Sequence, residues 1–234
     1  MLNFLGIGAQ KCGTSWLFDA LVQHPRIAFP GGKEIHFWNR PEGRGLEWYS
    51  QLFVDPSRKN GEITPAYGIL PTAIIRSIHS AYPQLRLIYL MRNPIERAWS
   101  SARMALGRAE MTHEEASDQW FIDHFHSKGS LQRGDYETCI RRWRSVYPVE
   151  QLLVLRYEMI ASQPISLINT CLNHLGLEDC LLSENTDVLK RKIFEGDGEE
   201  IRPRLMKVLS NIYSSQIDSL SQYLNQDFSN WKPL

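Results

Sequence analysis

Phe4-Leu5-Gly6-Ile7-Gly8-Ala9-Gln10-Lys11-Cys12-Gly13-Thr14-Ser15-Trp16-Leu17 is the stretch that decides the fold. Its first half is a short apolar run of strand type, and an apolar helix opens at Trp16-Leu17. Between them stand Gly8 and Gly13, with the hydroxyl residues Thr14 and Ser15 after the second glycine. A strand, a glycine turn and a helix N-terminus aim several backbone N–H groups at one point, which is how a phosphate is cradled. The version that works on ATP has Gly, four residues, Gly, then Lys and Ser or Thr. Here Thr14 stands where that lysine belongs, and Lys11 lies inside the loop. The stretch predicts a site for a phosphorylated nucleotide, and one not built to split ATP.

Outward from this loop, apolar runs predict strands over Leu2–Gly8, Leu85–Met91 and Leu152–Arg156. Helical patterns fall over Ser15–Gln23, Leu46–Phe53, Pro71–Ala81, Pro94–Leu106, Tyr136–Val146 and Pro203 to about Asn225. Strands alternating with helices require crossovers. The expectation is an α/β, three-layer fold like that of P-loop nucleotide triphosphatases, with a mainly parallel central sheet flanked by helices. No repeat, low-complexity tract or long linker divides the chain, so a single domain over 1–234 is expected. Gly107–Ser117 has no period and reads as a mobile loop, and 189–202 is a polar stretch.

The 26 basic and 26 acidic side chains cancel. That balance argues against nucleic acid or an acidic membrane surface as a partner. No run approaches the ~20 apolar residues of a spanning helix. With no leader pattern at the N-terminus, a cytoplasmic location without membrane insertion is expected. Cys12, Cys139, Cys171 and Cys180 show no paired metal spacing and read as reduced thiols.

A second anion motif is Leu90-Met91-Arg92-Asn93-Pro94-Ile95-Glu96-Arg97-Ala98-Trp99-Ser100. Pro94 suits a first helical turn, so Arg92 and Asn93 stand at the carboxyl edge of a strand, where open α/β sheets bind ligands. The planar guanidinium of Arg92 fits bidentate phosphate contact, and Ser100 is carried by the helix that follows. The competing reading is a surface ion pair for Arg92 and a merely exposed Ser100.

Gln10-Lys11-Cys12-Gly13-Thr14-Ser15-Trp16 resembles the 5′-phosphosulfate loop of sulfotransferases, and Arg92-Asn93-Pro94 through Ser100 resembles their 3′-phosphate motif. Lys33-Glu34-Ile35-His36-Phe37-Trp38 is similar to a segment of the heparan-sulfate branch. Weaker matches are Thr64-Pro65-Ala66-Tyr67, Gly134-Asp135-Tyr136 with Trp143, and Arg156-Tyr157-Glu158. The resemblance implies 3′-phosphoadenosine 5′-phosphosulfate (PAPS) as donor, its bisphosphate PAP as product, and no metal requirement. Gln10, Lys11, Cys12, Gly13, Thr14, Ser15, Trp16, Arg92 and Ser100 would hold the nucleotide, with Arg191 and Lys192 of the late polar loop over the 3′-phosphate. Trp16 would stack on adenine or serve as a core residue.

Sulfuryl transfer, like phosphoryl transfer, rests on positioning and electrostatics. Lys11 would follow charge developing on the leaving phosphate. Glu34 would take the acceptor proton, with His36 orienting it or acting as the base itself. His36 would share a face with Glu34 if the segment is extended. The plain alternative is a Lys33–Glu34 surface pair, with His36 packed beside Phe37. Relatives acting on glycans carry a lysine where this chain has Ile63, which counts against a polysaccharide. The acceptor is expected to be a small molecule, lipid or sugar, made faintly apolar by Phe37, Trp38, Trp48, Tyr49 and Tyr67. Rival readings are a P-loop small-molecule kinase using Mg-ATP and a non-catalytic nucleotide-binding module.

Overall fold

A computed structural model describes residues 1–178 and 200–233. The chain forms two compact units, Met1–Met91 with Arg141–Ile193, and Arg92–Ile140 with Phe194–Leu234.

The first unit is built on five strands: β1 (Leu2–Gly8), β2 (Ile27–Ala28), β3 (Lys59–Ile63), β4 (Arg86–Met91) and β5 (Leu152–Arg156). Their order is β2-β3-β1-β4-β5, and every neighbouring pair is parallel. Phe4, Leu5, Ile7, Leu87, Ile88 and Leu90 are buried on both sides of the strands, as expected of a parallel sheet flanked by helices. In this unit lie α1 (Thr14–Leu21), α2 (Leu46–Gln51), α3 (Thr72–Ala81), α8 (Met159–Ser162) and α9 (Pro164–His174). The α/β fold with a parallel central sheet is as the sequence predicts.

β2 and β3 were not expected. β3 reads Lys-Asn-Gly-Glu-Ile, yet Asn60 and Glu62 are buried. The strand tolerates them because both are hydrogen-bonded: Asn60 Nδ2 donates to the Asp55 carbonyl at 2.6 Å, and Glu62 accepts from hydroxyls. α9 was also missed, although Pro164 stands in its first turn and Leu167, Ile168, Cys171 and Leu172 make one buried stripe.

The second unit contains α4 (Pro94–Arg108), α5 (Asp118–His126), α6 (Lys128–Gly134) and α10 (Pro203–Leu224). Between α6 and α9, α7 (Tyr136–Arg144) carries the chain from one unit to the other. Asn93 caps α4, its side chain accepting from the Ile95 N–H, and Ser117 caps α5 in the same way through Trp120. Arg97 is fully buried and donates to the Ser130 carbonyl at 3.1 Å, the Ser130 hydroxyl at 3.1 Å and Tyr213 at 3.2 Å. The loop expected from Gly107 begins later, because α4 runs through Arg108. The following segment is tied down: Arg202 donates to the carbonyls of His113 and Ala116 and pairs with Asp118 at 2.9 Å. Five guanidinium donors in a fixed fork let one side chain hold three backbone and carboxylate oxygens at once.

Candidate active site

The Gly8–Ser15 loop leaves β1 and enters α1 as the sequence predicts. Ala9 N–H donates to the Leu90 carbonyl at 2.8 Å, tying the loop to β4, and Cys12 N–H donates back to Ala9 at 3.2 Å. Lys11 adopts φ 67° and Gly13 φ 84°. Gly13 is required there: a Cβ would lie 2.4 Å from Ile160 Cδ1 and 3.0 Å from Tyr157 Cδ2, in a conformation that side chains disfavour. Tyr157 and Ile160 follow β5, which explains why Arg156-Tyr157-Glu158 accompanies the loop. The α1 N-cap, Gly13, supplies no side-chain cap, so the first-turn N–H groups of Thr14, Ser15 and Trp16 are oriented for an outside acceptor. Thr14 and Cys12 are buried, as is Trp16 at 5% exposure. Gln10, Lys11 and Ser15 are partly exposed.

Glu34 and His36 are delivered to the same sheet edge. Glu34 N–H donates to the Ile63 carbonyl at 3.0 Å, at the end of β3. β3 pairs with β1 through Gly6 and Ile63, and Thr64 N–H donates to the Gly6 carbonyl at 2.9 Å. The carboxyl ends of these neighbouring strands therefore carry the loop and the Glu34–His36 segment side by side, the place where α/β sheets bind ligands.

The segment is not extended. Glu34 stands at φ 65° and His36 at φ 62°, so strand alternation is not what brings the side chains together. They meet nonetheless: His36 Nε2 lies 3.3 Å from Glu34 Oε2, and His36 Nδ1 lies 3.1 Å from Asn39 Oδ1. Lys33 also pairs with Glu34. The Lys33–Glu34 pair of the plain alternative is thus present, with Glu34 facing an ammonium on one side and an imidazole on the other. The three candidate catalytic residues, Lys11, Glu34 and His36, are among six non-glycine residues with positive φ in the described chain, the others being Glu42, Glu110 and Asn225; each such conformation costs about 1–3 kcal/mol.

Beneath the segment lies Glu62, which the sequence reading did not single out. It is fully buried and accepts from Tyr49, from Thr64 Oγ1 at 2.6 Å and from Tyr67 at 2.7 Å. Burial pushes its carboxyl above the ordinary value, against these hydroxyls and the charge of His36, which act the other way. Tyr49 and Tyr67 are pushed up as well, by burial and by the Glu62 charge. Neither tyrosine lines an acceptor surface, since both are completely buried and their hydroxyls point inward. Phe37 stacks on Tyr49 at 4.4 Å and is buried too, leaving Trp38 and Trp48 partly exposed. Ile63 is buried against Gly6.

In the second unit, Arg92 makes a two-point pair with Glu96, Nε at 2.9 Å and Nη2 at 2.8 Å from Oε2. Its carbonyl accepts from the Tyr136 hydroxyl at 2.7 Å. Ser100 lies one turn beyond Glu96 on α4, hence on the same face. The ion pair of the competing reading is present. Tyr136, Trp143 and Trp231 are core residues. Arg191 and Lys192 lie outside the described residues.

Cys12, Cys139 and Cys171 are buried thiols, and burial pushes the Cys171 thiol up to about 12; Cys180 lies outside the described residues. Among the described residues no helix is long and apolar enough to cross a membrane, and no cluster of His, Cys, Asp or Glu is arranged to hold a metal ion.

Residues 3–196 match the model of the sulfotransferase domain. The chain belongs to the PAPS-dependent sulfotransferase family, a family of transferases. Among similar proteins is the membrane-associated sulfotransferase kil1 of Dictyostelium discoideum, 24% identical and aligned over 97% of this chain and 66% of its own. The human heparan sulfate glucosamine 3-O-sulfotransferase 6 is 29% identical over 74% of this chain and 51% of its own. The chain thus spans between about half and two thirds of these relatives' lengths. A sulfotransferase crystal structure from Alicyclobacillus acidocaldarius superposes with a TM-score of 0.75 at 25% identity, covering 99% of this chain and 98% of that one. The mouse sulfotransferase SULT7A1, solved with PAP, shares the fold at a TM-score of 0.60 and 15% identity, over 96% and 88% of the two chains.

Proposed function

We propose that this chain transfers a sulfuryl group from PAPS to a hydroxyl of a small-molecule, lipid or sugar acceptor, releasing PAP. The observation that carries the proposal is the Gly8–Ser15 loop, with Lys11 displaced into its interior and an α1 N-terminus free of side-chain capping. Backbone N–H groups and the hydroxyls of Thr14 and Ser15 suit the 5′-phosphate, and Gly13 lets them approach it. The absence of a Cβ at Gly13 is part of that fit, since the space is closed by Ile160 and Tyr157.

Glu34 takes the proton of the acceptor hydroxyl as its oxygen bonds to sulfur, while the bond from sulfur to the phosphate oxygen breaks. Lys11 meets the negative charge that gathers on that phosphate oxygen. His36, in contact with the Glu34 carboxylate, orients it and shares the proton. Arg92 and Ser100 take the 3′-phosphate, Arg92 by exchanging Glu96 for phosphate. Trp16, at 5% exposure, serves chiefly as a core residue. Lys11 supplies the neutralising charge that magnesium supplies in ATP-using loops, so the reaction proposed runs without a metal. Cys12, Cys139 and Cys171 are buried thiols, which supports a cytoplasmic setting.

Calorimetry with PAP, with Mg-ATP, and with ATP plus chelator tests the reading. Tight binding of PAP that magnesium leaves unchanged is expected. A preference for Mg-ATP would overturn the sulfuryl-transfer assignment in favour of a kinase.

A further inference from the structure

Glu62 has three hydroxyl partners and no direct contact with the proposed chemistry. Thr64 Oγ1 and the Tyr67 hydroxyl both spend their single proton on its Oε1, at 2.6 and 2.7 Å. A hydroxyl has one donor, so donation to Glu62 turns the remaining lone pairs of each oxygen outward as acceptors. Those lone pairs are used: His36 N–H donates to Thr64 Oγ1 at 3.5 Å, and Trp38 N–H donates to the Tyr67 hydroxyl at 3.4 Å. The two amides bracket Phe37, whose ring stacks on Tyr49, the third hydroxyl donor to Glu62. A single buried carboxylate thereby sets the polarity of every hydroxyl beneath His36-Phe37-Trp38. The backbone it braces is the one that holds His36 at φ 62°, a conformation a non-glycine residue keeps only when its surroundings over-determine it.

We propose that Glu62 is a positioning residue for the Glu34–His36 pair, acting through the hydroxyls of Thr64 and Tyr67. The inference rests on the assignment of Glu34 and His36 to sulfuryl transfer. A glutamine at position 62 keeps the volume but presents one acceptor oxygen and no charge, so either the Tyr49 hydroxyl reverses or those of Thr64 and Tyr67 reverse together, and the charge-assisted bonds that orient Thr64 and Tyr67 weaken in both cases. The charge of Glu62 and that of a protonated His36 also attract each other, which links the two sites beyond the hydroxyl bridge.

Amide hydrogen exchange and imidazole ¹⁵N shifts, measured by NMR on the whole chain, test the proposal without an acceptor. Thr64→Val should speed exchange of the His36 amide by about fivefold and leave Trp38 unchanged, while Tyr67→Phe should do the reverse. Glu62→Gln should speed both and leave the Cys12 amide of the phosphate loop unchanged. The His36 Nε2 resonance, displaced by Glu34→Gln, should move in the same direction in Glu62→Gln and Thr64→Val. Uniform changes across the protein, or a His36 resonance that responds to Glu34→Gln but not to Glu62→Gln or Thr64→Val, would overturn the positioning role. Should Glu62→Gln not fold, the opposite responses expected of the two hydroxyl variants still decide it. Unchanged turnover of labelled PAPS in Glu34→Gln sinks the catalytic assignment alone and is thereby told apart from failure of the exchange pattern.

Discussion

His36 Nε2 and Glu34 Oε2 stand 3.3 Å apart although both residues occupy the left-handed backbone region. In an extended strand two residues of this spacing would sit on one face about two rises apart. The left-handed turn brings them into contact instead. The pair is anchored at the end of β3 by the bond from Glu34 N–H to the Ile63 carbonyl, so the carboxylate has a fixed place relative to the β1 loop.

Removing the base should cost rate and not nucleotide binding. Glu34→Gln is expected to lower sulfuryl transfer by ~10²–10⁴, the usual contribution of a positioned base. Initial rates with labelled PAPS over a panel of phenol, long-chain alcohol and oligosaccharide acceptors measure it, and PAP affinity by calorimetry should stay the same. Transfer within twofold of the parent chain would remove Glu34 from the mechanism.

Lys11→Gly should separate activity from stability. Relief of the left-handed conformation at φ 67° returns ~1–2 kcal/mol, and the added freedom of the unfolded chain takes back ~0.5–1 kcal/mol. The variant should therefore be as stable or up to ~1.5 kcal/mol more stable in chemical denaturation. Its turnover should fall by ~10²–10³, as when one electrostatic donor is lost from a developing oxyanion.

Glu96 competes with phosphate for Arg92. Glu96→Gln is expected to tighten PAP binding a few-fold by weakening the two-point pair at 2.8 and 2.9 Å, and Arg92→Ala to weaken it at least about tenfold. Arg92→Lys should recover only part of the loss, because an ammonium cannot make the planar two-point contact. Isothermal titration of the three variants gives the ranking, and equal affinities in all of them would take Arg92 out of the nucleotide site.

Acid should destabilise the fold through the buried His24 and the half-buried His124 and His174. Burial lowers the pKa of His24, His124 and His174 from the ordinary 6.5, aided by the charges of Arg26, Arg97 and Arg86 respectively. The unfolded chain then binds more protons in the window between the lowered values and 6.5, so stability is complete above that window and is lost as pH falls through it. His174, whose Nε2 is 3.1 Å from the Leu87 carbonyl, is the clearest single test. His174→Gln should flatten the fall in Tm between about pH 6.5 and pH 5, and an unchanged slope would exclude it as a contributor.

Much of the architecture was legible. β1 and β5 carry their predicted limits and β4 differs by one residue, because β1 and β4, buried on both faces, read as unbroken apolar runs, and β5 reads as a short apolar run as well. α1, α4 and α10 announced themselves through a glycine turn, an Asn-Pro cap and a long apolar stripe. Asn39 and Glu62 were not legible as site residues. Asn39 matters only because a left-handed turn folds His36 Nδ1 back to 3.1 Å from it, and no periodicity encodes such a turn.

What the sequence alone determined is the loop: Gly8 and Gly13 five residues apart, Lys11 between them, and hydroxyls at the helix start follow from local chemistry and need no distant partner. What only the tertiary structure decided is the floor beneath the candidate base. Lys59-Asn60-Gly61-Glu62-Ile63 is too polar to read as a buried strand. It becomes one because Tyr49 from α2, Thr64 and Tyr67 converge on Glu62 and make burial of its carboxylate tolerable. A buried charge is stabilised by partners brought from elsewhere in the chain, and those partners are invisible until the chain has folded around it.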